Sequence, residues 1–137
     1  MQELEHWKKR SMHKVFVYGT LKTGNEVRGL EAMGIDATPL GKAYTTYPDY
    51  SMMDLGAFPA VTMNGKYKIQ GEVWEVDDVG LETLDAIEGY PTFYSRTPTH
   101  TTQGKAWMYF LDPNKYQGSP PEESNQITID RDTLIWN

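Results

Sequence analysis

The order of apolar and polar residues divides this chain into short strands and one clear helix. Val15-Phe16-Val17-Tyr18 is β-branched and aromatic and ends at Gly19, the pattern of a short buried strand. Leu40–Tyr47 and Tyr50–Leu55 read as two more strands about a Pro48-Asp49 turn. After the loop Gly56–Ala60 comes the short strand Val61-Thr62-Met63. Asn64-Gly65 then predicts a hairpin into Lys66–Val76, where Tyr67, Ile69, Gly71 and Val73 alternate. Asp77 or Asp78 caps a helix that runs to Glu88. Gly89 supplies the left-handed stop, and Pro91 prevents continuation. Tyr94–Thr102 and Lys105–Leu111 form a hairpin about Gln103-Gly104. Upstream, Glu26–Met33 predicts a short helix between an Asn25 cap and Gly34. Asp112–Asn125, rich in Pro, Gly, Ser and Glu, predicts a long surface loop or lid, and Ile127–Trp136 a final strand and short helix. About six strands with one firm helix define an α+β fold: a compact mixed β-barrel-like sheet with a few packed helices.

Two positions break this pattern in ways that bear on chemistry. At 100° per residue, Leu81, Leu84 and Glu88 share one face of the helix, with Ile87 at its border. Glu88 therefore stands on an apolar stripe, where a carboxylate binds its proton more tightly than in water. Either it reaches water from the rim or pairs with Arg96, or the stripe holds it there for a task. The second position is the bend after the first strand. Gly19 permits a tight turn, and the amides of Gly19, Thr20 and Leu21 can form a small anion-binding concavity. The plain alternative is an ordinary strand-end turn.

Composition narrows the function classes. At 137 residues, with 39% apolar and 23% charged, the chain is one globular domain, read as residues 15–137 after an N-terminal extension, 1–14. Nine Tyr and four Trp predict an aromatic-rich core or cleft. A net charge of −6 argues against nucleic acid as a partner, since phosphate neutralisation needs a basic face. The absence of cysteine removes thiol nucleophiles, Cys-based zinc sites and disulfides, and fits a cytoplasmic protein. No apolar run is long enough to span a membrane, and Met1–Lys14 is charged throughout, unlike a signal peptide. His6, His13 and His100 lack ligand spacing, so no metal is expected. No serine sits in a Gly-x-Ser-x-Gly context. Glu72 and Glu75 fall on opposite faces of a strand and make no matched acid pair. Trp74, Trp107, Tyr109 and Phe110 read as core.

Taken together, four segments carry a resemblance. Tyr18-Gly19-Thr20-Leu21-Lys22 resembles the signature loop of the gamma-glutamyl cyclotransferase-like family. Leu84-Asp85-x-x-Glu88-Gly89-Tyr90-Pro91 with Tyr94-x-Arg96 resembles its second signature. Phe58-Pro59-Ala60-Val61 and Gly71-Glu72-Val73-Trp74 match two intermediate segments, in the family's order. The pattern is nearer to the γ-glutamylamine branch. The resemblance implies a small mixed barrel with a cleft at the mouth of the first strand. It also implies that Tyr18, Gly19, Thr20 and Leu21 hold the glutamyl α-carboxylate or nearby groups, and that Glu88 is the acid/base. By the same resemblance Tyr94 lines the cleft, and Arg96 holds structure or a carboxylate.

The implied reaction is cyclisation of a γ-glutamyl amide to 5-oxoproline with release of an amine, with no cofactor. The expected partner is a small γ-glutamyl substrate, and the expected state a monomer or weak homodimer. The residues suit that chemistry. A free Glu titrates near about 4.3, too acidic to donate well at neutral pH, and the apolar stripe shifts it in the useful direction. Two alternatives stand beside it: a non-catalytic small-molecule or partner-binding module on the same fold, and acyl transfer or hydrolysis with another nucleophile.

Overall fold

The computed structural model describes residues 11–19 and 30–137. Thr20, Leu21 and most of the expected Glu26–Met33 helix lie outside the described residues, as does most of the N-terminal extension. Nine strands are described: β1 (Met12–Val17), β2 (Ala37–Tyr44), β3 (Tyr50–Asp54), β4 (Pro59–Met63), β5 (Lys68–Asp77), β6 (Ser95–Thr101), β7 (Gly104–Phe110), β8 (Ile127–Asp130) and β9 (Thr133–Trp136). One α-helix, α1 (Asp78–Glu88), follows β5 directly.

The longest strand, β5, is the spine. It pairs antiparallel with β1 along one edge, Val15 opposite Trp74, and antiparallel with β2 along the other. β7 lies parallel to β1, and β6 antiparallel to β7. Beyond these strands, Thr45 bridges Thr101. Thr46 N–H donates to the His100 carbonyl at 2.8 Å, and Thr102 N–H to that of Tyr44 at 3.0 Å. The two far edges of the sheet are thus drawn together at one end, and the sheet curls into a half-barrel. β3 and β4 form a separate ribbon, tied in by the Tyr50–Tyr67 bridge and by Leu111 N–H donating to the Val61 carbonyl.

From Val15 onward both faces of β1 are covered, which is why Val15–Val17 reads as an unbroken apolar run rather than an alternation. Val15 and Val17 pack with Trp74, Val76 and the helix residues Leu81 and Leu84. Phe16 points the other way, to Val73, Ile69, Met108 and Met52. The alternation along β5 changes phase between Val73 and Trp74, so that Ile69, Gly71 and Val73 are buried in one phase and Trp74 and Val76 in the other.

The structure corrects several expectations. Met12–Lys14, assigned by pattern to the extension, are the first half of β1. β2 begins three residues before Leu40 and ends at Tyr44. Asn64-Gly65 does turn the chain, with Asn64 at φ 65°, but β4 and β5 do not pair. Instead Gly65 N–H bonds the Asp49 carbonyl, and Tyr67 returns to Tyr50 of β3. The tail is a β8–β9 hairpin about Arg131-Asp132 rather than a strand and helix. Asp112–Asn125 is not a free lid. Ser119 bridges Asp54, whose carboxylate accepts from Ser124 Oγ at 2.6 Å and from Gln126 Nε2 at 3.0 Å.

Candidate active site

The helix is fixed at both ends by its own sequence. At the start, Asp77 accepts a hydrogen bond from Gly80 N–H at 2.9 Å, satisfying one of the amides that a helix N-terminus leaves free. At the end, Gly89 takes the left-handed conformation, φ 68°, and its N–H closes back on Ala86 and Asp85 carbonyls. Leu81 and Leu84 bury the inner face. Four residues beyond Leu84, that face delivers Glu88 to the wall of a cavity of about 280 Å³.

The opposite wall comes from the end of β1. Tyr18 and Gly19 line the cavity, with Pro59 of β4 packed against Gly19. A Cβ on Gly19 would lie 2.9 Å from Pro59 Cγ, so glycine is required here by close approach. Phe58, Phe93, Tyr94 and Tyr109 complete the sides. Two strongly apolar residues, Met33 and Ile87, line the cavity while remaining 38% and 42% exposed, which places them at its mouth.

The tyrosine hydroxyls are all committed to protein partners. Tyr18 Oη donates to the Tyr109 carbonyl at 2.7 Å and accepts from Val61 N–H at 3.0 Å. Tyr94 Oη donates to the Pro59 carbonyl at 2.8 Å, and Tyr109 Oη to Asp85 Oδ1 at 2.7 Å. Burial raises the pKa of all three phenols, and the bond to Asp85 adds to the effect at Tyr109. They are neutral at physiological pH, and what they bring to the cavity is ring surface.

Glu88 differs. Its carboxyl is partly buried, and among the described residues it has no side-chain hydrogen-bond partner. Desolvation raises its pKa to about 7. Arg96 does not pair with it. The guanidinium forks onto Asp85, Nε to Oδ1 at 2.9 Å and Nη2 to Oδ2 at 3.2 Å, and is flanked by Tyr90 and Trp107. The structure therefore brings Tyr18, Gly19, Glu88 and Tyr94 to one cavity and places Arg96 outside its lining. There Arg96 neutralises Asp85, which in turn holds Tyr109. Among the described residues, no group of three or more His, Asp or Glu is placed to hold a metal.

Sequence reasoning did not single out Phe93, Ile87, Met33 or Tyr109 as cavity residues. Ile87 was within reach, since it borders the stripe that carries Glu88. Tyr109 was not, because its place depends on the parallel pairing of β7 with β1.

The chain has relatives of known family. Residues 15–128 match the family described as "Gamma-glutamyl cyclotransferase, AIG2-like". The Escherichia coli K12 protein named "Gamma-glutamylcyclotransferase family protein YtfP" is 34% identical over 97 residues, 70% of this chain and 80% of that one. The "Gamma-glutamylaminecyclotransferase" of Bos taurus is 38% identical over 92 residues, 63% of this chain and 54% of that one. A mouse AIG2-like crystal structure superposes with a TM-score of 0.67 at 26% identity, covering 84% of this chain and 89% of that one. The chain belongs to the gamma-glutamyl cyclotransferase, AIG2-like family.

Proposed function

We propose that this protein cyclises a γ-glutamyl amide to 5-oxoproline, releasing an amine, with Glu88 as the acid/base. The observation that carries the proposal is a single carboxyl on an apolar cavity wall with its pKa raised to about 7. Near neutrality both of its protonation states are well populated, which suits a group that must accept a proton and then give it up.

The steps follow from that. The substrate α-ammonium gives a proton to the Glu88 carboxylate, and the free amine attacks the γ-carbonyl carbon. A C–N bond of the five-membered ring forms. As the tetrahedral intermediate collapses, the original amide C–N bond breaks, and Glu88 returns its proton to the departing nitrogen. The ring nitrogen sheds its second proton and keeps one hydrogen; that proton passes to the freed amine, which leaves as an ammonium, so no net proton is taken up or lost. The backbone at Gly19 faces the same cavity and is suited to the α-carboxylate or to the developing oxyanion. Thr20 and Leu21 are assigned to the same task by the family motif. Tyr18 and Tyr94 shape the walls, and Arg96 acts at one remove through Asp85 and Tyr109.

The test is Glu88→Gln with γ-glutamyl amides as substrates and mass spectrometry of the products. Formation of 5-oxoproline should fall at least roughly 10²-fold with the fold intact. Wild-type product consisting of free glutamate would instead indicate hydrolysis. Normal turnover by the variant would remove Glu88 from the mechanism.

A further inference from the structure

The cavity lining sets a few polar groups among many apolar ones. Glu88 and the Gly19 backbone are the polar features that the described residues supply. Among the described residues the rest of the lining is largely apolar and includes Phe58, Phe93, Ile87 and Met33. Phe58 and Phe93 meet edge-to-face at 6.2 Å, and Phe93 meets Tyr116 in the same manner at 4.8 Å. Phe93 is thus a supported wall rather than a loose side chain.

Met33 and Ile87 stand at the mouth with more than a third of their surface in water. Scattered exposed apolar residues need no explanation, but two that line the same opening form a rim that a ligand can cover. The nearby phenols spend their hydroxyl protons on the Tyr109 and Pro59 carbonyls and on Asp85, so they have none left to donate to an anionic ligand.

We infer that the leaving amine of the true substrate carries an apolar body, alkyl or aryl, that lies against Phe58, Phe93, Ile87 and Met33. This rests on the cyclisation reading and names its substrate class. Amines that place a carboxylate or ammonium against this rim, such as α-amino acids or the lysine side chain, lose the contact and must desolvate a charge beside apolar walls. The bond changes are those given above, with the apolar amine leaving as its ammonium.

The experiment uses four amides: γ-glutamyl-butylamide, γ-glutamyl-benzylamide, γ-glutamylglycine and γ-glutamyl-ε-lysine. Wild-type kcat/KM is read from 5-oxoproline. Affinity is read separately, by calorimetry on Glu88→Gln, which needs no turnover. The butyl and benzyl amides should exceed the other two by at least about tenfold in both readouts, the discrimination an apolar pocket gives for a few methylenes. The changes Met33→Ser and Ile87→Ser together, at exposed positions where folding is not at issue, should bring that ratio close to one. Equal or reversed preference in the affinity measurement overturns the inference. Retained affinity order with no 5-oxoproline from wild type overturns the cyclisation reading and leaves the apolar subsite standing.

Discussion

At the scale of single residues, the carboxyl proposed as the acid/base opposes stability. The folded pKa of Glu88, about 7, lies above its ordinary 4.5, so the native state binds its proton more tightly than the unfolded chain does. Below about pH 4.5 both states are protonated, and Glu88 costs nothing. As pH rises from there to about 7, the unfolded chain ionises first and stability is lost, to the extent of 2–3 kcal/mol in order of magnitude at pH 8. Glu88→Gln should therefore unfold at higher denaturant than wild type at pH 8 and match it at pH 4, as chemical denaturation at the two pH values would show. The wild-type kcat/KM should carry an ionisation near pH 7 that the variant lacks. Tyr18 behaves differently. Its buried hydroxyl joins Val61 N–H to the Tyr109 carbonyl, so Tyr18→Phe leaves two buried backbone groups short of a partner. A loss of about 1–3 kcal/mol in equilibrium unfolding is expected, with little change in the pH profile of turnover.

At the scale of elements, helix α1 places its last residue by its end rather than by its middle. Gly89 closes the helix with a positive φ, and alanine in that conformation is strained. A Cβ at Gly89 would also approach Phe93 Cβ at 3.1 Å. Gly89→Ala should destabilise the fold by about 1 kcal/mol or more and lower kcat/KM beyond what stability accounts for, because both Glu88 and Phe93 shift. Parallel assays at a temperature where the variant is fully folded separate the two effects. The helix was legible in the sequence because each of its signals is local: the Asp77 cap, the Leu81–Leu84 stripe and the Gly89 stop. The β6–β7 hairpin was legible for the same reason. The reversal at Asn64-Gly65 was legible as a turn but not as a route, since what Gly65 bonds is Asp49, a contact between loops. The β8–β9 turn escaped notice because it puts Arg131 at φ 58°, a conformation its side chain does not advertise.

At the scale of the molecule, closure of the half-barrel depends on threonines. Thr45, fully buried, itself forms the bridge to Thr101, and its Oγ1 accepts from Ile69 N–H at 2.9 Å. Thr45→Val keeps the shape and removes the acceptor. It should cost about 1–3 kcal/mol in a single cooperative denaturation transition. Such contacts between distant edges were invisible in the sequence, where a threonine in a strand carries no address. So was the fastening of residues 112–126 by Asp54, which turned an expected lid into a belt. Two of the motif segments, by contrast, the Tyr18-Gly19 bend and the Glu88–Tyr94 stretch, were read as facing each other before the strand order was known, because each ends an element whose stop is local; both line the cavity. The belt meets the chamber wall at Tyr116, whose ring backs Phe93. If the proposed cyclisation and its apolar subsite hold, grafting this belt from one family member to another should retune which amine is accommodated, with Glu88 and Gly19 left in place.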